Sequence, residues 1–197
     1  MALIKYATKE ITCKIVYYGP GRSGKTTNLQ YLYSRISKQR KGRIISLATN
    51  KDRTLFFDFL PVGLGEIFGF STNFQLYTVP GQVYYNATRK LVLQGADGVV
   101  FVADSERWRK EDNILSLANL RDNLSERGFD IKMIPLVIQY NKQDVSDVLD
   151  IQELKKDLNL LHSPDISTSA LTGEGVIDTF RLIGKMVLED IRRRFRR

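Results

Sequence analysis

Apolar positions along this chain follow two alternating rhythms. Short runs of strand length give way to stretches in which apolar residues return every three or four positions. The run "ITCKIVYY" (11–18) predicts a strand, and Leu29, Leu32 and Ile36 predict one face of a helix beginning near Lys25. "TLFFDFLPV" (54–62) and "STNFQLYTV" (71–79) predict two strands joined by the glycine-punctuated "GLGEIFGF". "DGVVFVAD" (97–104) and "KMIPLVIQY" (132–140) are continuously apolar, as strands buried on both faces are. Between them Ile114, Leu117, Leu120 and Leu124 predict a helix with one inward face, stopped by Gly128. A shorter helix carries Ile151, Leu154 and Leu158, and "DISTSA" (165–170) predicts a last short strand. The final helix buries Val176, Phe180, Ile183, Val187 and Ile191. Strands alternating with helices imply an α/β fold of three layers, with a mostly parallel sheet covered on both sides. The pair at 54–79 has no helix between its members, which implies one antiparallel edge strand.

At 197 residues the chain is most simply one domain, 1–197, large enough to bury a full core. The single Cys13 lies in an apolar run, which excludes a disulfide framework and fits a reducing cytoplasm. No apolar segment approaches the roughly 20 residues that span a bilayer, and no acylation or prenylation signal is present. A soluble, cytoplasmic protein without a stable membrane anchor, monomeric when alone, is the expectation. The net charge of +8 is partly clustered in "KQRKGR" (38–43) and in the basic end "RRRFRR" (192–197). Solvated helix ends account for both, since basic residues complement the helix dipole there. The sharper alternative is a weak electrostatic contact with an acidic surface. No zinc-ligand spacing or RNP-type motif accompanies the charge, so no nucleic-acid partner is expected.

The stretch "GPGRSGKTT" (19–27) packs no core, yet it stands where a strand turns into a helix. Gly19, Gly24, Lys25 and Thr26 match G-x-x-x-x-G-K-[ST], the phosphate-cradling loop, in the strand–helix context that the pattern needs. Backbone N–H groups from Gly19, Gly21, Arg22, Ser23, Gly24, Lys25, Thr26 and Thr27 would form an anion nest at a helix N-terminus. Lys25 can reach the β- and γ-phosphates, and the Thr26 hydroxyl can ligate Mg²⁺. The base is addressed by "NKQD" (141–144), placed directly after a buried strand. The Asp144 carboxylate can accept from N1–H and the 2-amino group of guanine, a donor pair that adenine lacks. Asn141 can tie this loop to the phosphate loop, and the Lys142 stem can stack on the base. Ser169, Ala170 and Leu171 follow the last strand and could offer a backbone amide, first that of Ala170, to guanine O6.

In that motif order the chain resembles the Ras-like small GTPases over almost its whole length, and with them the P-loop NTPase fold. Its switch I threonine would be Thr54 and its switch II "TVPGQ" (78–82). Within that family it looks like the MglA group of bacterial GTPases, on "GPGRSGKTTN", the aromatic "LFFDFLP" and the threonine that opens "TVPGQ". The resemblance implies binding of GTP and GDP with Mg²⁺ held by Thr26 and Thr54. It also implies slow hydrolysis with Gln82 orienting water and Gly81 N–H sensing the γ-phosphate. It further implies a role in front–rear polarity for surface motility, effectors, and a roadblock-fold GTPase-activating partner, MglB-like. Thr78 departs from the usual aspartate, and a neutral hydroxyl adds no charge near the metal. Arg53, directly before Thr54, is a candidate intrinsic finger for transition-state charge, swung in by the partner. The strand "LFFDFLPV" is apolar on both faces, so its register is weakly specified and the switch hairpin is a candidate bistable element. Trp108 and His162 are assigned to packing or surface. The reading is a GTP-hydrolysing switch; its competitors are a GTP-locked interaction module and a P-loop kinase.

Overall fold

The computed structural model describes residues 2–36, 42–43, 45–49, 53–67, 69–82 and 85–195, with the backbone alone at 45–49, 53–59, 64–67 and 195. Glu10–Tyr18 forms β2 at the middle of an eight-stranded sheet, flanked by β5 (Phe70–Thr78) and β6 (Gly98–Asp104), both parallel to it. Beyond β6 the parallel order continues with β7 (Leu136–Asn141) and β8 (Asp165–Ser167). On the other side β4 (Arg53–Ile67) runs antiparallel to β5 and carries β3 (Ile45–Thr49) antiparallel on its outer edge. The antiparallel edge expected from sequence is therefore a ribbon, β3 and β4, and β1 (Leu3–Lys5) adds a short antiparallel pair on β2. After β5 the chain crosses to the opposite side of β2 to make β6. That reversal opens a crevice at the carboxyl end of β2.

Alternation along the central strands builds two cores. Ile15, Tyr17, Val100 and Val102 face α1 (Lys25–Arg35) and α5 (Val176–Phe195), meeting Leu29, Leu32, Ile183 and Val187. Val16, Tyr18, Val99 and Phe101 face the other way. They meet Leu120 and Leu124 of α3 (Lys110–Ser125), Leu154 and Leu158 of α4 (Ile151–Leu158), and Val92 of α2 (Asn86–Leu93). Gly128 stops α3 at φ 74°, with Gly128 N–H donating to Ser125 O (2.8 Å) and Phe129 N–H to Leu124 O (3.1 Å). That paired closure is the Schellman stop expected of a glycine there.

Two expectations are corrected. Ile114 is 41% exposed rather than inward, because its neighbour Asn113 takes the inward position. Asn113 pins the end of β6 from there, accepting from Asp104 N–H (2.8 Å) and donating to Asp104 O (2.7 Å). "GLGEIFGF" is no connection, since β4 runs on to Ile67 and absorbs Gly63 to Gly65 as an irregularity in the β4–β5 register. Strands β1 and β3 are too short to announce themselves, and the apolar residues of α2 bunch as Leu91, Val92 and Leu93 at its end instead of recurring at helical spacing. Most of "KQRKGR" and the last two residues of "RRRFRR" lie outside the described residues. Arg193 and Arg194 both reach Asp190, one turn back on α5. Trp108 lies at the surface, 68% exposed.

Cys13 is fully buried in the α1–α5 core, and burial pushes its thiol from 9.0 up to about 12. The thiolate, the form that reacts with electrophiles, is thereby made scarce at neutral pH. A thiol-reactive probe is expected to label Cys13 only as fast as the protein unfolds; rapid labelling in native buffer would contradict this packing.

Candidate functional site

At the carboxyl end of β2 the chain turns under steric orders. A Cβ at Gly19 (φ 145°) would lie 2.2 Å from the Val102 carbonyl oxygen of β6, so only glycine lets the loop leave the sheet there. Arg22 and Gly24 also take positive φ, 64° and 95°, and this mixture of handedness curls successive N–H groups into one concavity. Gly24 is the N-cap of α1, no side chain caps that end, and its first turn carries no acidic residue. The positive end of the helix dipole therefore faces the concavity with no acidic residue in its own first turn to balance it. Lys25 is buried in the same loop, its Nζ donating to Gly19 O (3.1 Å) and Pro20 O (2.5 Å). Ser23 Oγ is buried without a hydrogen-bond partner among the described residues.

The base motif is cross-linked to this loop by one side chain. Asn141, at the end of β7, donates from Nδ2 to Ser23 O (2.7 Å). Its Oδ1 accepts from Ala170 N–H (2.8 Å) and from Thr168 Oγ1 (3.1 Å). The Ala170 amide assigned from sequence to guanine O6 is thus engaged by Asn141 in this structure. A buried N–H needs an acceptor, and Oδ1 is the one at hand. Ser169 is buried beside it and accepts from Thr172 N–H (3.2 Å), whereas Leu171 is 76% exposed and points away. Lys142, at φ 73°, pairs with Asp104 Oδ2 (2.6 Å) and Glu106 Oε2 (2.5 Å), which fixes its ammonium and stretches its stem along the loop. Asp144 stands exposed two residues further on.

Asp104, Glu106 and Arg109 belong to this site and were not singled out from sequence. Asp104 closes the buried run of β6, and a carboxylate at the carboxyl end of a parallel strand was the available signal. Burial pushes its carboxyl up, against the pull of Lys142, while the Lys142 hydrogen bond holds Glu106 below the usual carboxylate range. Arg109 Nε lies 3.5 Å from Asp104 Oδ2, and its Nη2 donates to the Gly21 carbonyl. Charge thus runs unbroken from the base loop, through Asp104, to the phosphate loop.

On the far side, Gly81 meets Gly21 so closely that a Cβ on Gly81 would lie 2.1 Å from Gly21 Cα. Gln82, Thr26, Thr27 and Lys25 line the same cavity of about 810 Å³. Thr78 is fully buried where β5 pairs with Tyr17, short of that cavity's rim. The side chains of Arg53 and Thr54 lie outside the described residues; their backbones pair with Thr49 and Ala48. Because Phe59 is opposite Tyr77, residues 53–57 overhang the end of β5 toward the carboxyl ends of the parallel strands.

A glycine nest opening a helix at the point where a mostly parallel sheet reverses direction defines a P-loop nucleotide-binding protein. Residues 1–187 match the ADP-ribosylation factor family, and the chain belongs to it: it binds and hydrolyses GTP. It is 56% identical over 193 residues to the Mutual gliding-motility protein MglA of Myxococcus xanthus, covering 98% of this chain and 99% of that one. It is 30% identical over 174 residues to ADP-ribosylation factor-like protein 6 of Caenorhabditis elegans, covering 82% of this chain and 80% of that one. With ADP-ribosylation factor-like protein 2 of Arabidopsis thaliana the identity is 27% over 183 residues, or 89% of this chain and 88% of that one. The resemblance to the MglA group is thereby borne out. No helix among the described residues is long and apolar enough to cross a membrane.

Asn141→Ala would leave the Ser23 carbonyl and the Ala170 amide buried and unmet. Nucleotide-free protein is expected to lose about 2–4 kcal/mol of stability, read as a fall in melting temperature on the order of 10 °C. An unchanged melt would mean that the asparagine joins nothing that matters.

Proposed function

We propose that this chain is one G domain working as a GTP-hydrolysing switch in surface motility and cell polarity, with the residues above as its site. The motility role is supported by the 56% identity to the gliding-motility protein, and the site by one observation. The loop that would hold phosphate and the loop that would read the base are tied by Asn141 beneath an uncapped helix N-terminus. The N–H groups of residues 21–26 would hold the β-phosphate, and Lys25, now folded on its own loop carbonyls, would turn its ammonium onto β- and γ-oxygens. Asp144 is free at the loop surface to accept the guanine N1–H and 2-amino group. Gly81 N–H and Gln82 line the γ-phosphate end, where Gln82 would orient the attacking water.

Mg²⁺ suits the donor set, since Thr26 and Thr54 offer hard hydroxyl oxygens. Among the described residues no group of three carboxylate, histidine or cysteine side chains could hold a metal without phosphate oxygens. Bound there, the ion would neutralise charge on the β- and γ-phosphates. The neutral Thr78 leaves that task to fewer protein charges. A roadblock-fold activating protein is the partner that fits the MglA-like character, and Arg53 is the residue it would bring onto the γ-phosphate. The chain's place is the cytoplasm, where GTP is.

Two measurements check these roles. Asp144→Asn is expected to weaken GTP and favour xanthosine triphosphate, whose C2 carbonyl accepts where guanine donates; an unchanged ratio would remove Asp144 from base reading. Gln82→Leu is expected to slow both basal and partner-stimulated hydrolysis, whereas Arg53→Ala spares the basal rate and lowers the stimulated rate on the order of 10³-fold. Full stimulation of the Arg53→Ala protein would mean the partner supplies its own arginine, or none is used.

A further inference from the structure

Arg89 has the largest fully buried side chain among the described residues, and its described partners are all neutral. From the middle of α2 its Nε donates to Pro80 O (2.8 Å), its Nη2 to Gly81 O (2.6 Å) and its Nη1 to Asn119 Oδ1 (2.8 Å). The guanidinium lies over the Tyr18 ring, 5.3 Å from its centroid. Taking a cation out of water is costly unless its donors are met, so a cation kept there is kept for what it holds. It holds the two carbonyls directly before Gln82. β5 has ended at Thr78, so these carbonyls lie beyond the ladder and need a donor from elsewhere, which Arg89 supplies. A planar fork of N–H donors fixes both at once, which a single ammonium could not do.

The geometry of the peptide unit gives this hold its consequence. A trans amide points its C=O and N–H in opposite directions, and the plane that carries Pro80 O also carries the Gly81 N–H. Drawing Pro80 O onto Arg89 turns the Gly81 N–H to the other side of the chain. The same constraint on Gly81 O sets the plane from which Gln82 departs. The anchor is itself fixed. Asn119 Oδ1 also accepts from the Tyr18 hydroxyl (2.5 Å), Asn123 donates to that hydroxyl (3.0 Å), and both asparagines donate to Asn86 Oδ1 (3.0 and 2.9 Å). Tyr18 is the residue before Gly19, so one polar cluster holds the strand end that bears the phosphate loop and the segment that bears Gln82.

We propose that Arg89 is a positioning residue for GTP hydrolysis, fixing the Pro80 and Gly81 carbonyls so that the Gly81 N–H and the Gln82 side chain stay aimed at the γ-phosphate. It acts through them and touches neither nucleotide nor water, and the proposal rests on the roles given above to Gly81 and Gln82. The test compares Arg89→Gly, Arg89→Lys and Gln82→Leu with wild type for GDP affinity and for single-turnover phosphate release from GTP. Both Arg89 variants are expected to release phosphate on the order of 10²-fold more slowly, the scale of a small misplacement, with GDP affinity within about threefold of wild type. Millimolar guanidinium is expected to restore much of the rate to Arg89→Gly, and the same concentration of ammonium to restore none. Wild-type hydrolysis by the Arg89 variants beside an impaired Gln82→Leu would overturn the proposal and leave the Gln82 role standing. Wild-type hydrolysis by Gln82→Leu would overturn both. Should Arg89→Gly bind GDP poorly, guanidinium that restores binding without restoring hydrolysis would make Arg89 a packing residue and overturn the proposal as well.

Discussion

Asn141 is an amide at the end of a buried strand, and it holds three chain segments that sequence keeps far apart. Its Nδ2 donates to the Ser23 carbonyl of the phosphate loop, and its Oδ1 receives Ala170 and Thr168 from the loop after β8. The side chain is 1% exposed, so each of those bonds works in a low-dielectric setting where an unmet partner is expensive. The same amide lies where a Cβ on Gly24 would stand, which makes glycine obligatory at the start of α1. The helix N-terminus is therefore left without a side-chain cap, and an anion from outside is the natural complement. A polar bond in the core thus fixes both the shape and the charge preference of the phosphate cradle.

Around that knot the loops are held by close backbone approaches and by charge. Gly19 presses on the Val102 carbonyl and Gly81 on Gly21, so β6 and the segment before Gln82 both meet the phosphate loop with no room for side chains. Asp104 sits between Lys142 and Arg109, linking the base loop to the carbonyl side of Gly21. A contact made at one end of the crevice has a short, mostly polar route to the other.

Much of this is legible in the sequence, for physical reasons that differ from part to part. Glycine, lysine and threonine at 19–27 carry a motif because backbone curvature and phosphate charge demand those residue types. The strands buried on both faces show as continuous apolar runs, and α5 shows by its period. What stays hidden depends on partners rather than on pattern. Asn113 displaces Ile114 from the core because it has a strand end to bind. Nothing in "NATRKLVL" marks Arg89 as buried, since its burial follows from carbonyls eight and nine residues earlier and an asparagine thirty residues later. The Ala170 amide looks available for a base oxygen until the Asn141 side chain is seen to claim it.

On the proposed roles, the crevice at the carboxyl end of β2 would hold a guanine nucleotide, its phosphates on the loop and its base on Asp144. Competitive titration of the purified protein with GDP and ADP in the presence of Mg²⁺ decides whether this is so. A site that meets the guanine N1–H and 2-amino group with a carboxylate is predicted to bind GDP at least 10³-fold more tightly than ADP, since adenine leaves that acceptor unmet. Equal affinities for the two nucleotides would contradict the account.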